Sequence, residues 1–202
     1  MDDESPRVIL VGGTSHTGKS TLADGLAGRL GWEHLFTDTL KRHPGRPWKT
    51  PQREVPEHVA EHYLSLPVEE LLADVLRHYL SLWPRIQDAV SARLADRSQP
   101  GLVIEGSAVW PESAASLPSR RVAAVWLTAG DGFLRERIRA SSGFAAASPR
   151  ERAMITKFVE RAIAFNSRMM EAVRRLGLGS LNVEGLSPDD LCAACLELVG
   201  CR

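Results

Sequence analysis

Eight residues near the N-terminus combine glycines, a lysine and a hydroxyl group at a spacing suited to holding phosphate. Gly13, Gly18, Lys19 and Ser20 occupy the fixed positions of the pattern G-x-x-x-x-G-K-[ST], and Thr21 follows directly. In such a loop, successive backbone N–H groups and the positive end of the following helix point at a di- or triphosphate. The lysine adds a charge at the β- and γ-phosphates, and the serine hydroxyl contacts Mg²⁺. The pattern therefore predicts a nucleotide site, and residues 13–20 are called the phosphate loop below.

The elements on either side of the phosphate loop agree with this prediction. Residues 8–11 are four apolar residues, three of them β-branched, which is typical of a buried strand, and leucines recur at helical spacing over 21–30. The residues predicted to contact nucleotide are Gly13, Thr14, Ser15, His16, Thr17, Gly18, Lys19, Ser20 and Thr21. His16 stands where small residues are common. The sequence does not decide whether it points outward or contacts a phosphate or a substrate.

Composition narrows the classes of partner. The chain has 202 residues, enough for one large domain over 1–202, with 25 basic and 25 acidic side chains and a formal net charge of zero. Bulk electrostatic binding of nucleic acid is therefore not expected. No apolar run approaches membrane-spanning length, and the acidic N-terminus lacks the features of a signal peptide, so we expect a cytoplasmic protein without a membrane partner. The oligomeric state is not readable from the sequence.

Apolar runs alternate with segments of helical periodicity along the rest of the chain. Strands are predicted at 32–36, 102–105, 122–127 and 180–183, and the main helices at 68–94, from 131 onwards, at 150–176 and from 188 onwards, with Pro84 able to kink or divide the first of them. This alternation predicts an α/β fold with a parallel sheet covered on both faces. Ligands of such sheets bind at the carboxyl ends of the strands, so Asp38 and Glu105 should lie at the same edge as the phosphate loop.

With these motifs the chain resembles the small P-loop kinases of the nucleoside and nucleotide kinase-like group, which includes shikimate kinase, adenylate kinase, chloramphenicol phosphotransferase and 2-phosphoglycerate kinase-like proteins. The resemblance implies a three-layer P-loop NTPase fold with a five-stranded parallel sheet and a helical lid. It also implies transfer of a phosphoryl group from ATP, with Mg²⁺, to a hydroxyl of a small metabolite or antibiotic-like acceptor. The guanine-reading segment N-K-x-D is absent from the sequence, which favours ATP over GTP.

The same resemblance assigns roles to the two acidic residues. An acid after the second strand of these kinases often contacts the acceptor hydroxyl and can take its proton, and Asp38 matches that position. The acid after the third core strand usually holds Mg²⁺, directly or through water. Glu105 matches it, although Glu stands where many P-loop proteins have Asp, so substrate contact is an alternative. Lys19, Asp38 and Glu105 are the predicted catalytic residues, with Ser20 and Glu105 as the predicted metal ligands.

Basic residues on two further segments complete the predicted site. A lid segment, 140–152, follows Arg137, which resembles the adenine-stacking residue of the group, and Arg139 is its near competitor. Within or next to the lid, Arg150 and Arg152 would swing toward the transferring phosphoryl group. An acceptor segment, 39–97, follows Asp38, and its first loop would line the acceptor pocket. The cations there, Arg42 and Arg46 among them, are predicted to bind an anionic or phosphorylated acceptor, and Trp48 is predicted to pack on a ring of the acceptor.

Two other classes of function compete with the kinase interpretation. His58, Glu61 and His62 match the pattern H-x-x-E-H of zinc peptidases, although no distal third ligand can be nominated from the sequence. A non-catalytic nucleotide sensor would keep the phosphate loop but have no use for Asp38 or an acceptor pocket. Both alternatives stay open at this point.

Overall fold

Five strands form a parallel sheet in the computed structural model, which describes residues 5–40, 45–50, 53–117 and 120–201. The strands are β1 (Val8–Gly13), β2 (Glu33–Phe36), β3 (Leu102–Glu105), β4 (Val122–Thr128) and β5 (Ser180–Asn182). Their spatial order is β2-β3-β1-β4-β5, and every neighbouring pair is parallel. The predicted α/β fold with a five-stranded parallel sheet is confirmed.

Helices cover both faces of this sheet. The α-helices in the described ranges are α1 (Lys19–Leu30), α2 (Glu57–Ser65), α3 (Val68–Ala95), α4 (Pro111–Ala115), α5 (Asp131–Ser141), α6 (Pro149–Arg175) and α7 (Pro188–Val199). Val8 and Leu10 of β1 pack in a core with α3 and α6, whereas Ile9 and Val11 pack in a second core with α1 and α7. Successive side chains of a strand point to opposite faces, and all of β1 is buried, so the molecule has three layers.

A local sequence signal explains where α6 begins, whereas α3 continues through a proline. Ser148 and Glu151 form a reciprocal capping box, with Pro149 in the first turn of α6. The helix α3 runs through Pro84 without being divided; Pro84 is exposed, and Leu82 and Ile86 on either side of it are fully buried in the core. None of the helices within the described ranges combines the length and the apolar character that crossing a membrane requires.

Candidate active site

The phosphate loop leaves the end of β1 and is closed by hydrogen bonds of its own side chains. The Thr14 hydroxyl donates to the carbonyl of Ala162 on α6 over 3.0 Å, and the Thr17 hydroxyl donates to the Thr14 carbonyl over 2.8 Å. The buried Lys19 ammonium donates to the same Thr14 carbonyl over 2.7 Å. Gly18 begins α1 in the left-handed conformation, and no side chain caps this helix. The first N–H groups of α1 are therefore available to bind an anion.

Glu105 stands at the carboxyl end of β3, beside the phosphate loop, and is 1% exposed. Its Oε1 accepts a hydrogen bond of 2.7 Å from the Ser20 hydroxyl, whereas its buried Oε2 has no hydrogen-bond partner among the described residues. Burial raises the pKa of the Glu105 carboxyl, against the opposing effects of the Ser20 hydrogen bond and the Lys19 charge. A buried carboxylate oxygen that accepts no hydrogen bond lies here next to a serine hydroxyl. These two oxygen atoms are ligands of the kind that Mg²⁺ binds.

Burial also acts on the lysine of the phosphate loop. It lowers the pKa of Lys19 to about 8, although the charges of Glu105 and Asp38 act to raise it. These opposite charges lie close enough to stabilise the ammonium form. The phosphate loop thus presents a cation whose countercharges come from two other strand ends.

Asp38 lies in a 3-10 turn, Thr37–Thr39, that directly follows β2. The turn is held close to β3, because the buried Thr37 packs against Gly106, the residue after Glu105. Gly106 has a φ of +152°, and a Cβ placed on it would lie 1.8 Å from the Thr37 hydroxyl oxygen. This close contact between the turn and the β3 end brings Asp38 to the same edge of the sheet as Glu105.

A cavity of about 370 Å³ opens at this edge. It is lined by the phosphate loop, the ends of β2 and β3, the acceptor segment and α6. The lining residues are Ser15, His16, Gly18, Lys19, Ser20, Thr21, Phe36, Asp38, Gly45, Arg46, Tyr79, Glu105, Gly106, Ser107, Phe158 and Arg161. The cavity therefore joins the predicted phosphate-binding residues to both predicted acids and to one predicted acceptor residue, Arg46.

Arg161 on α6 is a cavity residue that was not predicted from the sequence. It is 5% exposed, and its guanidinium donates a hydrogen bond of 2.7 Å to the Tyr63 hydroxyl and lies 4.5 Å from the ring centroid of Phe158. Among the described residues no carboxylate pairs with it. One sequence signal could have revealed it: Phe158, Ala162 and Phe165 form a helical apolar stripe in which Arg161 is the charged member.

Of the residues predicted to bind the acceptor, Arg46 lines the cavity and Trp48 lies in the core. Arg46 is exposed at the cavity, with its guanidinium 5.9 Å from the ring centroid of Trp48. Trp48 itself is 3% exposed and packs edge-on against Phe158, with ring centroids 4.9 Å apart, so it serves as a core residue outside the cavity lining. Arg42 lies outside the described residues.

Arg139, predicted as a candidate for stacking on adenine, and the predicted lid residue Arg152 enclose an aromatic ring of the lid segment. Arg139 and Arg152 lie 4.6 Å and 5.6 Å from the ring centroid of Phe144, which is in a 3-10 turn between α5 and α6. Arg152 also donates to the carbonyl of Ala145 over 2.6 Å. Both guanidinium groups are thus engaged within the lid segment and are not part of the cavity lining.

The other two arginines connect the lid region to neighbouring elements. Arg150 forms an ion pair with Glu57 at the start of α2. Arg137 donates to the His16 carbonyl over 3.3 Å and stacks on Phe133, 5.1 Å from the ring centroid. Arg137 therefore contacts the backbone of the phosphate loop directly, whereas Arg150 contacts the acceptor segment.

The H-x-x-E-H motif lies on α2. His58 and Glu61 are exposed, and His62 faces Asp74 of α3 with a nitrogen-to-oxygen distance of 3.8 Å. Within the described ranges, no group of three or more His, Cys, Asp or Glu is arranged to hold a metal ion. The third ligand that a zinc peptidase needs is therefore absent from this part of the chain.

His16 titrates abnormally in this surrounding. Burial, and then the charges of Arg46, Lys19 and Arg137, lower its pKa to about 4 from the ordinary value of 6.5. Between these two pH values the unfolded chain binds more protons than the folded one, so the folded state loses stability as the pH falls. Above pH 6.5, His16 is neutral in both states, and this loss of folding stability does not occur.

Between pH 7 and pH 4 we expect the His16→Asn protein to lose about 2 kcal/mol less free energy of unfolding than the parent, because Asn has no group that titrates in this range. The figure is smaller than the full pKa difference would give, because the imidazole is partly exposed to solvent. Urea unfolding of both proteins at pH 7, 5 and 4 measures this difference. Equal pH dependence in the two proteins would contradict the lowered pKa of His16.

No protein-family model matches this chain, and no curated protein matches it. Solved structures do. A gluconokinase from Sinorhizobium meliloti 1021 is 19% identical, with a TM-score of 0.56 over 96% of this chain and 92% of that chain. A sugar kinase from Janibacter sp. HTCC2649 is 16% identical, with a TM-score of 0.59 over 96% and 95%. A shikimate kinase from Bacteroides thetaiotaomicron is 15% identical, with a TM-score of 0.51 over 96% and 98%.

These similarities extend over nearly the whole of each chain. At identities below one fifth they show a shared fold, and they confirm at that level the resemblance to P-loop small-molecule kinases.

Proposed function

We propose that this protein transfers the γ-phosphoryl group of ATP, with Mg²⁺, to a hydroxyl of a small anionic acceptor. The observation that carries the proposal is a single cavity lined by the phosphate loop, Asp38 and the buried Arg161. A phosphate site, a candidate base and an anion site then adjoin one another. The three similar structures are kinases named for small molecules, which supports the same reaction class.

The groups at the phosphate loop neutralise the negative charge of the ATP phosphates. The uncapped N–H groups of α1 and the Lys19 ammonium bind the β- and γ-phosphates. Ser20 and the Oε2 atom of Glu105 are the groups that would hold Mg²⁺. When bound, the ion neutralises charge on the phosphoryl group that is transferred.

Asp38 acts on the acceptor. Its exposed carboxylate at the cavity orients the acceptor hydroxyl toward the γ-phosphate and accepts the proton as the oxygen–phosphorus bond forms. The bond between the γ-phosphorus and the bridging oxygen breaks at the same time, and ADP leaves. Positioning supplies most of the rate, because phosphoryl transfer has little covalent chemistry for the protein to perform.

Arg161 favours an acceptor that carries a carboxylate or a phosphate. Its guanidinium is buried and contacts a hydroxyl and two aromatic rings, with no carboxylate partner among the described residues. A buried charge without a counter-ion is costly, and an anionic ligand offsets that cost. Arg46, on the exposed side of the same cavity, adds a second positive charge.

We expect Arg161→Met to raise the KM for the acceptor by about 10- to 100-fold, because one hydrogen bond to a charged group is lost. ATP affinity should not change. Folding stability should change by no more than about 1 kcal/mol, because the substitution also removes a buried unpaired charge. Steady-state kinetics and urea unfolding measure the two effects. The control is Arg168→Met, an exposed arginine on the same helix and outside the cavity. A KM equal in both variants would remove Arg161 from the acceptor site.

The function itself is tested by ADP release in the presence of ATP and Mg²⁺. The acceptors are sugar acids, sugar phosphates and nucleosides, each beside an uncharged analogue with the same hydroxyl groups, and GTP replaces ATP in a parallel series. Stimulation by anionic acceptors alone is the expected result. ATP binding without turnover stimulated by any acceptor would favour a nucleotide sensor, and failure to bind ATP would overturn the proposal.

A further inference from the structure

We propose that His16 is a positioning residue that couples the phosphate loop to the base of the lid segment and to the acceptor segment. The inference rests on the proposed function, because it concerns how the two substrates of one site are brought into register. It begins from a backbone feature. His16 has a φ of +68° and is the one non-glycine residue with positive φ among the described residues. Side chains beyond glycine disfavour this conformation, so the imidazole is present at a conformational cost.

The imidazole reaches the C-terminal end of α5. Its Nε2 lies 2.8 Å from the Ser141 hydroxyl oxygen, and that hydroxyl lies 3.1 Å from the Ile138 carbonyl in the orientation of a donor. In either tautomer of the ring the two atoms are hydrogen-bonded: Nε2–H donates to the hydroxyl oxygen, or the hydroxyl donates to an unprotonated Nε2.

A second residue of α5 and two other elements meet the same residue. The Arg137 guanidinium on α5 donates to the His16 carbonyl over 3.3 Å. The His16 ring lies 6.0 Å from the ring of Trp48 in the acceptor segment and 6.4 Å from Phe158 on α6, measured between centroids. His16 also lines the cavity. One residue of the phosphate loop thus contacts α5, α6 and the acceptor segment.

These contacts have a mechanical consequence. A shift of the C-terminal end of α5, or of Trp48, displaces the His16 ring and with it the backbone that carries the phosphate-binding N–H groups. Conversely, phosphates that order the loop hold His16 and so hold Ser141. Glycine at this position would relieve the backbone conformation and remove the connection at the same time.

A double-mutant cycle on His16→Gly and Ser141→Ala tests the coupling. ATP affinity is measured by titration calorimetry without acceptor, and kcat and the acceptor KM by ADP release. We expect each single variant to weaken ATP binding by about fivefold and to lower kcat. The ATP affinity and the kcat of the double variant should be no lower than those of the more impaired single variant. His16→Gly should unfold at the same urea concentration as the parent or at a higher one.

The matched control is Ser116→Ala at the residue after α4, outside the cavity lining, whose hydroxyl also donates to the carbonyl three residues earlier, over 2.7 Å. It should leave ATP affinity unchanged. Single-variant effects that multiply in the double variant, or single variants with parental ATP affinity and kcat, would overturn the coupling. A parent that binds ATP but turns over no acceptor would refute the kinase proposal alone, because the calorimetric cycle still measures the coupling. A parent that does not bind ATP would refute both.

Discussion

Replacing Asp38 by Asn is expected to lower acceptor-stimulated ADP release by about 10²- to 10⁴-fold, the range typical of a lost general base. The amide has nearly the same volume as the carboxylate, so the cavity keeps its shape. It cannot accept the hydroxyl proton, and it no longer carries the charge that orients the acceptor toward the γ-phosphate. ATP affinity should remain within about threefold, because Asp38 lines the acceptor side of the cavity while the phosphate loop is unchanged.

Three measurements separate this effect from a general loss of structure. ADP release gives kcat and the acceptor KM, titration calorimetry gives ATP affinity, and urea unfolding gives stability. Asp88→Asn is the control, since Asp88 is an exposed residue of α3 outside the cavity lining. An Asp38→Asn protein with parental kcat would show that another group orients the acceptor.

Gly106→Ala is expected to reduce the free energy of unfolding by about 3 kcal/mol, at the upper end of overpacking effects, and to lower kcat as well. The new Cβ would lie 1.8 Å from the Thr37 hydroxyl oxygen, and the glycine has a φ of +152° that alanine disfavours. Relief of the clash must move the turn that carries Asp38, or the strand end that carries Glu105. Stability and acceptor positioning should therefore change together.

The contrasting variant is Gly28→Ala on the exposed face of α1. No atom lies within 4 Å of a Cβ placed there, so the substitution should stabilise the protein by about 0.5–1 kcal/mol through helix propensity. Urea unfolding and ADP release on both variants complete the comparison. A Gly106→Ala protein with parental stability would mean that the turn and the β3 end are not held by this contact.

Much of the architecture was predictable because it depends on short-range patterns. The strand at β1, the phosphate loop and α1 follow one another within about two dozen residues, and the hydrogen bonds that close the loop join Thr14, Thr17 and Lys19. Parallel strands with intervening helices place their carboxyl ends at one edge of a sheet, which is why Asp38 and Glu105 could be assigned to the phosphate side. The cap at Ser148 is likewise a local signal.

Residues that meet across the fold were not predictable in the same way. Trp48 is an example: it lies in a basic loop that was predicted to line the acceptor pocket, yet it is buried against Phe158. The burial of Trp48 depends on the packing of that loop against α6, which no short-range pattern reports. The contacts of His16 with Ser141 and Trp48 join residues that are far apart in the chain.

The sequence by itself determined the phosphate loop, the alternation of strands and helices, and the edge of the sheet at which the acids lie. These properties follow from periodicity and from residue types at fixed spacing. Only the tertiary structure decided the strand order β2-β3-β1-β4-β5, the contact of Gly106 with Thr37, and the placement of Arg161 in the cavity. Those properties depend on long-range packing, in which residues distant in the chain compete for the same buried space.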